Sequence, residues 1–280
     1  MEMRKIIIYN ITLTLLIFIS SNAIWAAENG KILNMENVDY KANPEKVKMT
    51  VLYDNYINTE GTEAKWGFSC LIETVDKTVL FDTGGDGEVL LHNIQALNVD
   101  ISNIDIIVIS HNHWDHTGGL FTVLESTKNM QVYLLNSFPP DFIEKVKSTN
   151  AEVILVKEPI KICENVMSTG ELSGPVNEHS LIVDTEKGPV VVTGCSHPGI
   201  VNIVKRANEI SGERVYLVFG GFHLMRLPDD AIDGIISDFN QLGVKKCGAT
   251  HCTGDRQIKR FEDAYQEDYV KIGTGKVLEF

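Results

Sequence analysis

Between positions 110 and 119 the chain reads Ser110-His111-Asn112-His113-Trp114-Asp115-His116-Thr117-Gly118-Gly119. Three imidazoles and a carboxylate this close together cannot all be packing residues, because His and Asp are poor core side chains and each would need a buried partner. A transition metal is the simplest partner they could share. In an extended or turning backbone His111 and His113 present both rings to one side, while Asp115 and His116, adjacent in sequence, diverge and can serve a second ion nearby. Neutral imidazole and carboxylate suit zinc, with iron or manganese admitted where oxygen ligands share the site. The spacing therefore predicts two ions, Zn2+ first, held in part by His111, His113, Asp115 and His116.

Such a cluster must be placed by a rigid element. Ile104, Ile106, Ile107, Val108 and Ile109 run directly into it, a β-branched stretch of the kind that forms a buried parallel strand, and the ends of such strands are where α/β proteins place their sites. Upstream, residues 47–55, 66–73 and 78–81 read as strands, the last ending in Asp82-Thr83-Gly84-Gly85. An acid before a glycine turn is ordinarily a turn residue. Helical spacing over 88–97 makes the link to the metal string a βαβ passage. Beyond it the pattern predicts a helix at 120–125, a strand at 131–135, a helix at 139–148 and a strand at 151–156. Residues 136–178 are expected to supply loops over the site, and with them substrate preference. His92 and His179 read as surface or helix residues.

The second half repeats one arrangement three times. The strand 190–193 leads into Gly194-Cys195-Ser196-His197-Pro198-Gly199, the strand 215–219 into Gly220-Gly221-Phe222-His223-Leu224, and the strand 246–250 into His251-Cys252-Thr253-Gly254, with helices at 199–210 and 229–242 between. Any one of these histidines alone would more often be structural. Together, βαβαβ winding sets the carboxyl ends of the three strands along one edge, so His197 and His251 read as ligands. His223 reads as a group that supports a ligand or faces substrate. Cys195 competes with His197 for a metal role.

The string H-x-H-x-D-H followed by T-G-G resembles the signature of the metallo-β-lactamase superfamily. That resemblance implies an α/β fold, a four-layer αββα sandwich, and a mostly hydrolytic chemistry run by two metals. It also implies that Asp82, in a D-x-G at this place, supports the ligands, and that Cys195 occupies the position where many members have a bridging Asp and some a Cys. The further strings D-T-G-G, G-C-S-H-P-G, G-G-F-H-L and H-C-T-G are similar to those of the dihydropteroate-synthase-like branch, described as synthases of a dihydropterinyl-methyl-(ribofuranosyl)aminobenzene phosphate. The expectation is a hydrolase using a metal-activated water on an ester, phosphoester or related small-molecule bond, with Asp115 moving a proton and Asp82 and His223 assisting. Two rivals accompany it. One is a transferase in which the metals activate a pyrophosphate leaving group; the other is a non-catalytic metal-binding or redox module, which would ordinarily add a flavin or electron-transfer domain.

Composition narrows the partners. A formal charge of −13 argues against nucleic acid, whose phosphates call for a basic footprint, and leaves a small molecule as the expected partner; the oligomeric state stays open. Arg4 and Lys5 precede an apolar run over 6–19, followed by Ala23, Ala26 and Ala27, which reads as a secretory signal peptide over 1–26. An uncleaved membrane anchor is the alternative. Export to the periplasm or outside the cell, with no lasting membrane association after cleavage, is the expectation, and 27–280 is expected to form a single domain. The five cysteines show no disulfide framework, so at least one thiol should be free or on metal; Cys70, Cys163 and Cys247 read as packing residues.

Overall fold

The computed structural model describes residues 46–280. The signal peptide read over 1–26 lies outside them, and no helix among the described residues is long and apolar enough to cross a membrane. The first half of the chain builds one sheet. Strands β1 (Lys48–Tyr53), β2 (Ser69–Glu73) and β3 (Thr78–Phe81) pair antiparallel, then β3, β4 (Ile106–Val108), β5 (Gln131–Leu135) and β6 (Glu152–Val156) run parallel. Their connections carry α1 (Gly87–Ala96), α2 (Trp114–Thr117), α3 (Leu120–Ser126) and α4 (Pro140–Lys147). Asp86 starts α1 by accepting the amides of Glu88 and Val89, the side-chain cap that an acid at this position provides.

A second sheet follows. It is antiparallel through β7 (Ile160–Cys163), β8 (Val166–Ser168), β9 (Leu181–Val183) and β10 (Val190–Thr193), then parallel through β11 (Leu217–Gly221) and β12 (Lys246–Thr250). Helices α5 (Ile200–Ser211), α6 (Asp229–Leu242) and α7 (Asp255–Tyr265) accompany it, and β13 (Val277–Glu279) returns to β1 at the edge of the first sheet. The period-2 alternation of strands sorts the core. Val190, Val192, Leu217 and Phe219 pack with the first sheet, while the intervening Val191 and Val218 pack with Ile203, Val204, Ile232, Phe239 and Phe261 of the helices. With α1, α3 and α4 against the first sheet, the layers run helices, sheet, sheet, helices.

Residues 136–178 hold the expected helix and strand as α4 and β6 and add the β7–β8 pair, so of this segment it is the stretch after β8 that reaches the candidate site, where Gly174 lies against His197 O and Glu178 accepts the amides of residues 195–197. The apolar run resumes at Ile160, and Asn165 (φ 65°) takes the left-handed backbone needed to turn β7 into β8. The second strand begins at Ser69 rather than Trp66, because Gly67 at φ 146° breaks the extended backbone between them. That leaves Trp66 in a loop beside the strand ends.

Candidate metal centre

Every parallel strand end named in the sequence delivers its residue to one place. Asp82 follows β3, His111 to His116 follow β4, Cys195 and His197 follow β10, His223 follows β11 and His251 follows β12. Asp115, His116, Cys195 and His251 each offer one donor atom, all within 4.8 Å of one another; His111, Cys195 and His197 form a second such set, and Cys195, His223 and Cys252 a third. His113 joins the second set through His111, its Nδ1 lying 3.0 Å from His111 Nε2. Its ring also sits 4.9 Å from that of His197. Asp115 and His116, expected to diverge, end with Oδ2 and Nε2 3.7 Å apart, because both stand on the single helical turn α2. Cys195 Sγ is 3.2 Å from His116 Nε2 and 3.5 Å from His251 Nε2, so the sulfur stands between the sets and does not displace His197.

The rings are held from behind. Asp82 Oδ2 accepts from His116 Nδ1 at 2.7 Å and from Ser110 Oγ at 2.7 Å, and Ser110 Oγ faces His111 Nδ1 at 2.9 Å. One carboxylate thus sets two imidazoles with Nε2 toward the centre. Asn55 does the same for His251, its Oδ1 lying 3.0 Å from Nδ1. Glu178, fully buried, accepts the backbone amides of Cys195, Ser196 and His197 at 2.8, 2.9 and 2.8 Å, which fixes the loop that carries both donors. Trp66 Nε1 donates to Asp115 Oδ2 at 2.8 Å. Asp82, Ser196, His223 and His251 all have positive φ, at 57°, 68°, 55° and 50°; for residues other than glycine and asparagine such strain persists only where neighbours enforce it.

Charge is divided across the centre. Burial, then the neighbouring imidazoles, drives His111 well down, and the same causes take His197 to about 3, so both rings keep a free lone pair. At the other end burial opposes a charge on His116, but Asp82 overrides it and raises His116 to about 9. Burial likewise works against ionised Asp115, yet the His251 hydrogen bond and the nearby His116 hold it below the usual carboxylate range. Burial raises Glu178 to about 7 despite its three amides. These residues fit a divalent cation pair: the donor set is nitrogen, oxygen and sulfur of the right types, and His197 Nε2 is buried with no hydrogen-bond partner among the described residues, an orphan that a cation would satisfy.

Some residues the sequence reading missed or misplaced. His179 is not a surface residue; its ring is fully buried and joins Ile109 O at 2.9 Å to Ser168 Oγ at 2.8 Å, bracing the end of β4. His92 does lie exposed on α1, against Gly61 O. Cys252, Asn55, Ser110, Trp66 and Glu178 received no role in the sequence. Cys252 and Ser110 adjoin assigned histidines and could have been weighed, whereas Asn55 and Glu178 carry no signal outside the fold. All five cysteines are free and buried.

Two sheets with a donor cluster at their joined strand ends define an enzyme class, and the chain belongs to the metallo-β-lactamase superfamily. A family model of that description matches residues 67–161. Within the superfamily the chain is similar to the 7,8-dihydropterin-6-methyl-4-(beta-D-ribofuranosyl)-aminobenzene-5'-phosphate synthase of Methanocaldococcus jannaschii, with 31% identity over 89% of this chain and 100% of the relative. The crystal structure of a metal-dependent hydrolase of the β-lactamase superfamily superposes with a TM-score of 0.71 at 30% identity, over 84% of this chain and 99% of that one. A metallo-β-lactamase fold protein from Bacillus subtilis shares the fold with a TM-score of 0.63 at 16% identity, over 84% and 100% of the two chains.

Proposed function

We propose that the chain is a metal-dependent hydrolase of a small-molecule ester, phosphoester or related bond, with His111, His113 and His197 holding one divalent cation, Asp115, His116 and His251 a second, and Cys195 between them. The observation that carries this reading is the buried Cys195 sulfur shared by all three donor sets, one of which contains the orphaned His197 Nε2. Zinc fits the donors best. Two cations bound there supply a nucleophile at neutral pH and polarise the oxygen of the bond to be cleaved. The chain's own groups do the rest. Asp82 and Ser110 fix the rings of His116 and His111, and Asn55 fixes that of His251. Asp115 Oδ2, steadied by Trp66 and 3.3 Å from His251 Nε2, is placed to take a proton from an attacking water and return it to the leaving group. His223, exposed at the mouth, faces the substrate side.

A second reading is favoured by the name of the Methanocaldococcus relative, a synthase: the same residues would serve a transferase that activates a pyrophosphate leaving group. One set of measurements separates the two. Protein purified without chelator should carry about two equivalents of metal and turn over one class among chromogenic phosphodiesters, lactones and lactams. His113→Ala and Asp115→Ala should abolish that turnover while circular dichroism stays unchanged. Unimpaired turnover in either variant would sink the hydrolase reading, and release of pyrophosphate from a pterin diphosphate only when an arylamine acceptor is added and takes up the pterin-methyl group, by a protein inert to the panel, would favour the transferase.

A further inference from the structure

Two of the five cysteines meet at the edge of the donor cluster. Cys195 follows β10, and Cys252 stands on the single helical turn His251–Thr253 after β12. Their sulfurs nevertheless lie within 4.8 Å of each other, in the donor set they share with His223, and Cys252 Sγ reaches the Cys195 carbonyl oxygen at 3.7 Å. Strand β11 runs between the two parent strands, and its last residue, Gly221, leaves the gap open. A Cβ there would stand 2.7 Å from Cys252 Sγ and 2.4 Å from Gly194 O. The distance left to a sulfur–sulfur bond of about 2 Å is of the size that two cysteine side chains cover by turning about Cα–Cβ. The two sulfurs differ in access. Cys252 lines a cavity of about 690 Å³ together with Trp66, His223, Met225, Arg226 and Leu227. Cys195 is not part of that lining and lies among the buried donors, 3.2 Å from His116 Nε2 and 3.5 Å from His251 Nε2. A small oxidant entering the cavity therefore meets Cys252 first, with Cys195 in place to resolve the product.

We propose that Cys195 and Cys252 form an oxidisable dithiol, closed to a disulfide by a peroxide, and that closure withdraws the shared Cys195 sulfur from the metal centre. The Cys252 thiol attacks one peroxide oxygen: the O–O bond breaks, an S–O bond forms, and a sulfenic acid and one water result. The Cys195 sulfur then attacks the sulfenic sulfur. The S–S bond forms as the S–O bond breaks, and the departing hydroxide becomes a second water with the Cys195 proton, or with a solvent proton where that sulfur is already a thiolate. Two thiols give up two electrons and one peroxide is reduced to two waters. Thiolate, not disulfide, is the form of cysteine that ligates metal, so closure removes the one donor common to all three sets. The dithiol stands on this geometry, while its effect on metal rests on the centre assigned under the proposed function.

Treating the metal-loaded full chain with hydrogen peroxide, beside an untreated sample, tests both parts. The readouts are thiol titration after denaturation, mass spectrometry of unreduced peptides, and metal passed to a chromogenic chelator. Treatment should remove two of the five thiols, link the peptides carrying Cys195 and Cys252, and release metal that the untreated sample keeps; dithiothreitol should return both thiols. Cys252→Ser, with Cys252→Ala as a second replacement, should form no link and keep its metal under the same treatment. Five intact thiols, a link between other cysteines, or a sulfinic acid on Cys252 beside an unlinked Cys195 would overturn the dithiol. A link formed with all metal retained would overturn its coupling to the centre. Turnover on the same samples keeps this inference apart from the hydrolase reading. A Cys195–Cys252 link in a protein that binds no metal and hydrolyses nothing supports the dithiol and counts against the hydrolase, whereas hydrolysis by a protein whose thiols stay unlinked supports the hydrolase and rejects the dithiol.

Discussion

The carboxylate of Asp82 accepts from His116 Nδ1 and, through Ser110, governs His111 Nδ1, so one acid outside the donor sets orients a ring in two of them. Its positive φ of 57° is also tolerated by asparagine, which makes Asp82→Asn a test of charge and acceptor geometry rather than of backbone strain. An amide offers only one acceptor oxygen to His116, Ser110 Oγ and the Ser110 amide, so at least one of these buried donors loses its partner. We expect metal affinity, read by competition with a chromogenic chelator, to fall about 10–100-fold. An affinity equal to that of the unaltered protein would show that the rings are fixed by other contacts. Sequence alone left Asp82 as a turn residue and gained its supporting role only by resemblance, because nothing in the string Asp82-Thr83-Gly84-Gly85 announces a partner 34 residues away.

At the scale of elements, the site exists where the end of β10 meets the end of β4, and the closeness of that meeting depends on Gly194. A Cβ there would stand 2.3 Å from Ser110 Oγ and 2.9 Å from Asp82 Oδ2. Ser110 is buried and bonded on both sides, so it has nowhere to move. Gly194→Ala should therefore destabilise the fold by about 1–3 kcal/mol and reduce bound metal, both measurable by thermal melting with and without chelator. Gly234→Ala, in the middle of α6 with open space around its Cβ, should instead be neutral or raise stability by about 0.5–1 kcal/mol. A tolerated Gly194→Ala with full metal content would mean that the two strand ends can separate without harm. The elements flanking this junction were readable: β3 and β5 are apolar runs ending at acidic or asparagine turns, α6 keeps a helical period up to Gly243, and β12 leads directly into a glycine-flanked histidine. The strands β7 to β9 are equally short but lead into no cluster of chemistry-bearing residues, and α7 shows little beyond Ile258, Phe261 and Tyr265 among charged neighbours.

Across the whole molecule the two sheets are tied at a seam by a buried acid. Asp54, just after β1, accepts Thr250 Oγ1 from the end of β12 at 2.8 and 2.9 Å and the Tyr56 amide at 3.0 Å. Burial, only partly offset by the His251 charge and these hydrogen bonds, pushes its carboxyl up to about 7. Since the folded pKa is raised above the unfolded one, its contribution to stability is complete at pH values below the ordinary carboxylate range and is lost as pH rises through about 7. Asp54→Asn can keep the Tyr56 and Thr250 contacts without that loss. The melting temperature of the variant, relative to the parent, should therefore rise between about pH 5 and about pH 8. A difference that stays flat, or falls, over that interval would show that Asp54 is ionised in the fold throughout.

The sequence by itself determined the chemistry and the frame: a metal-ligating string after a β-branched strand, three later strands each ending in a histidine, and a superfamily fold that accounts for both. Those features are local, since ligand type, strand period and turn residues are all read within a few positions. Only the tertiary structure decided that Cys195 sits among the donor sets, that Glu178 and Asn55 hold those donors in place, and that His179 is a buried brace. Each of those is a relation between distant segments, set by how two sheets pack face to face, and a side chain's partner across such a junction leaves no trace in its own neighbourhood of the chain.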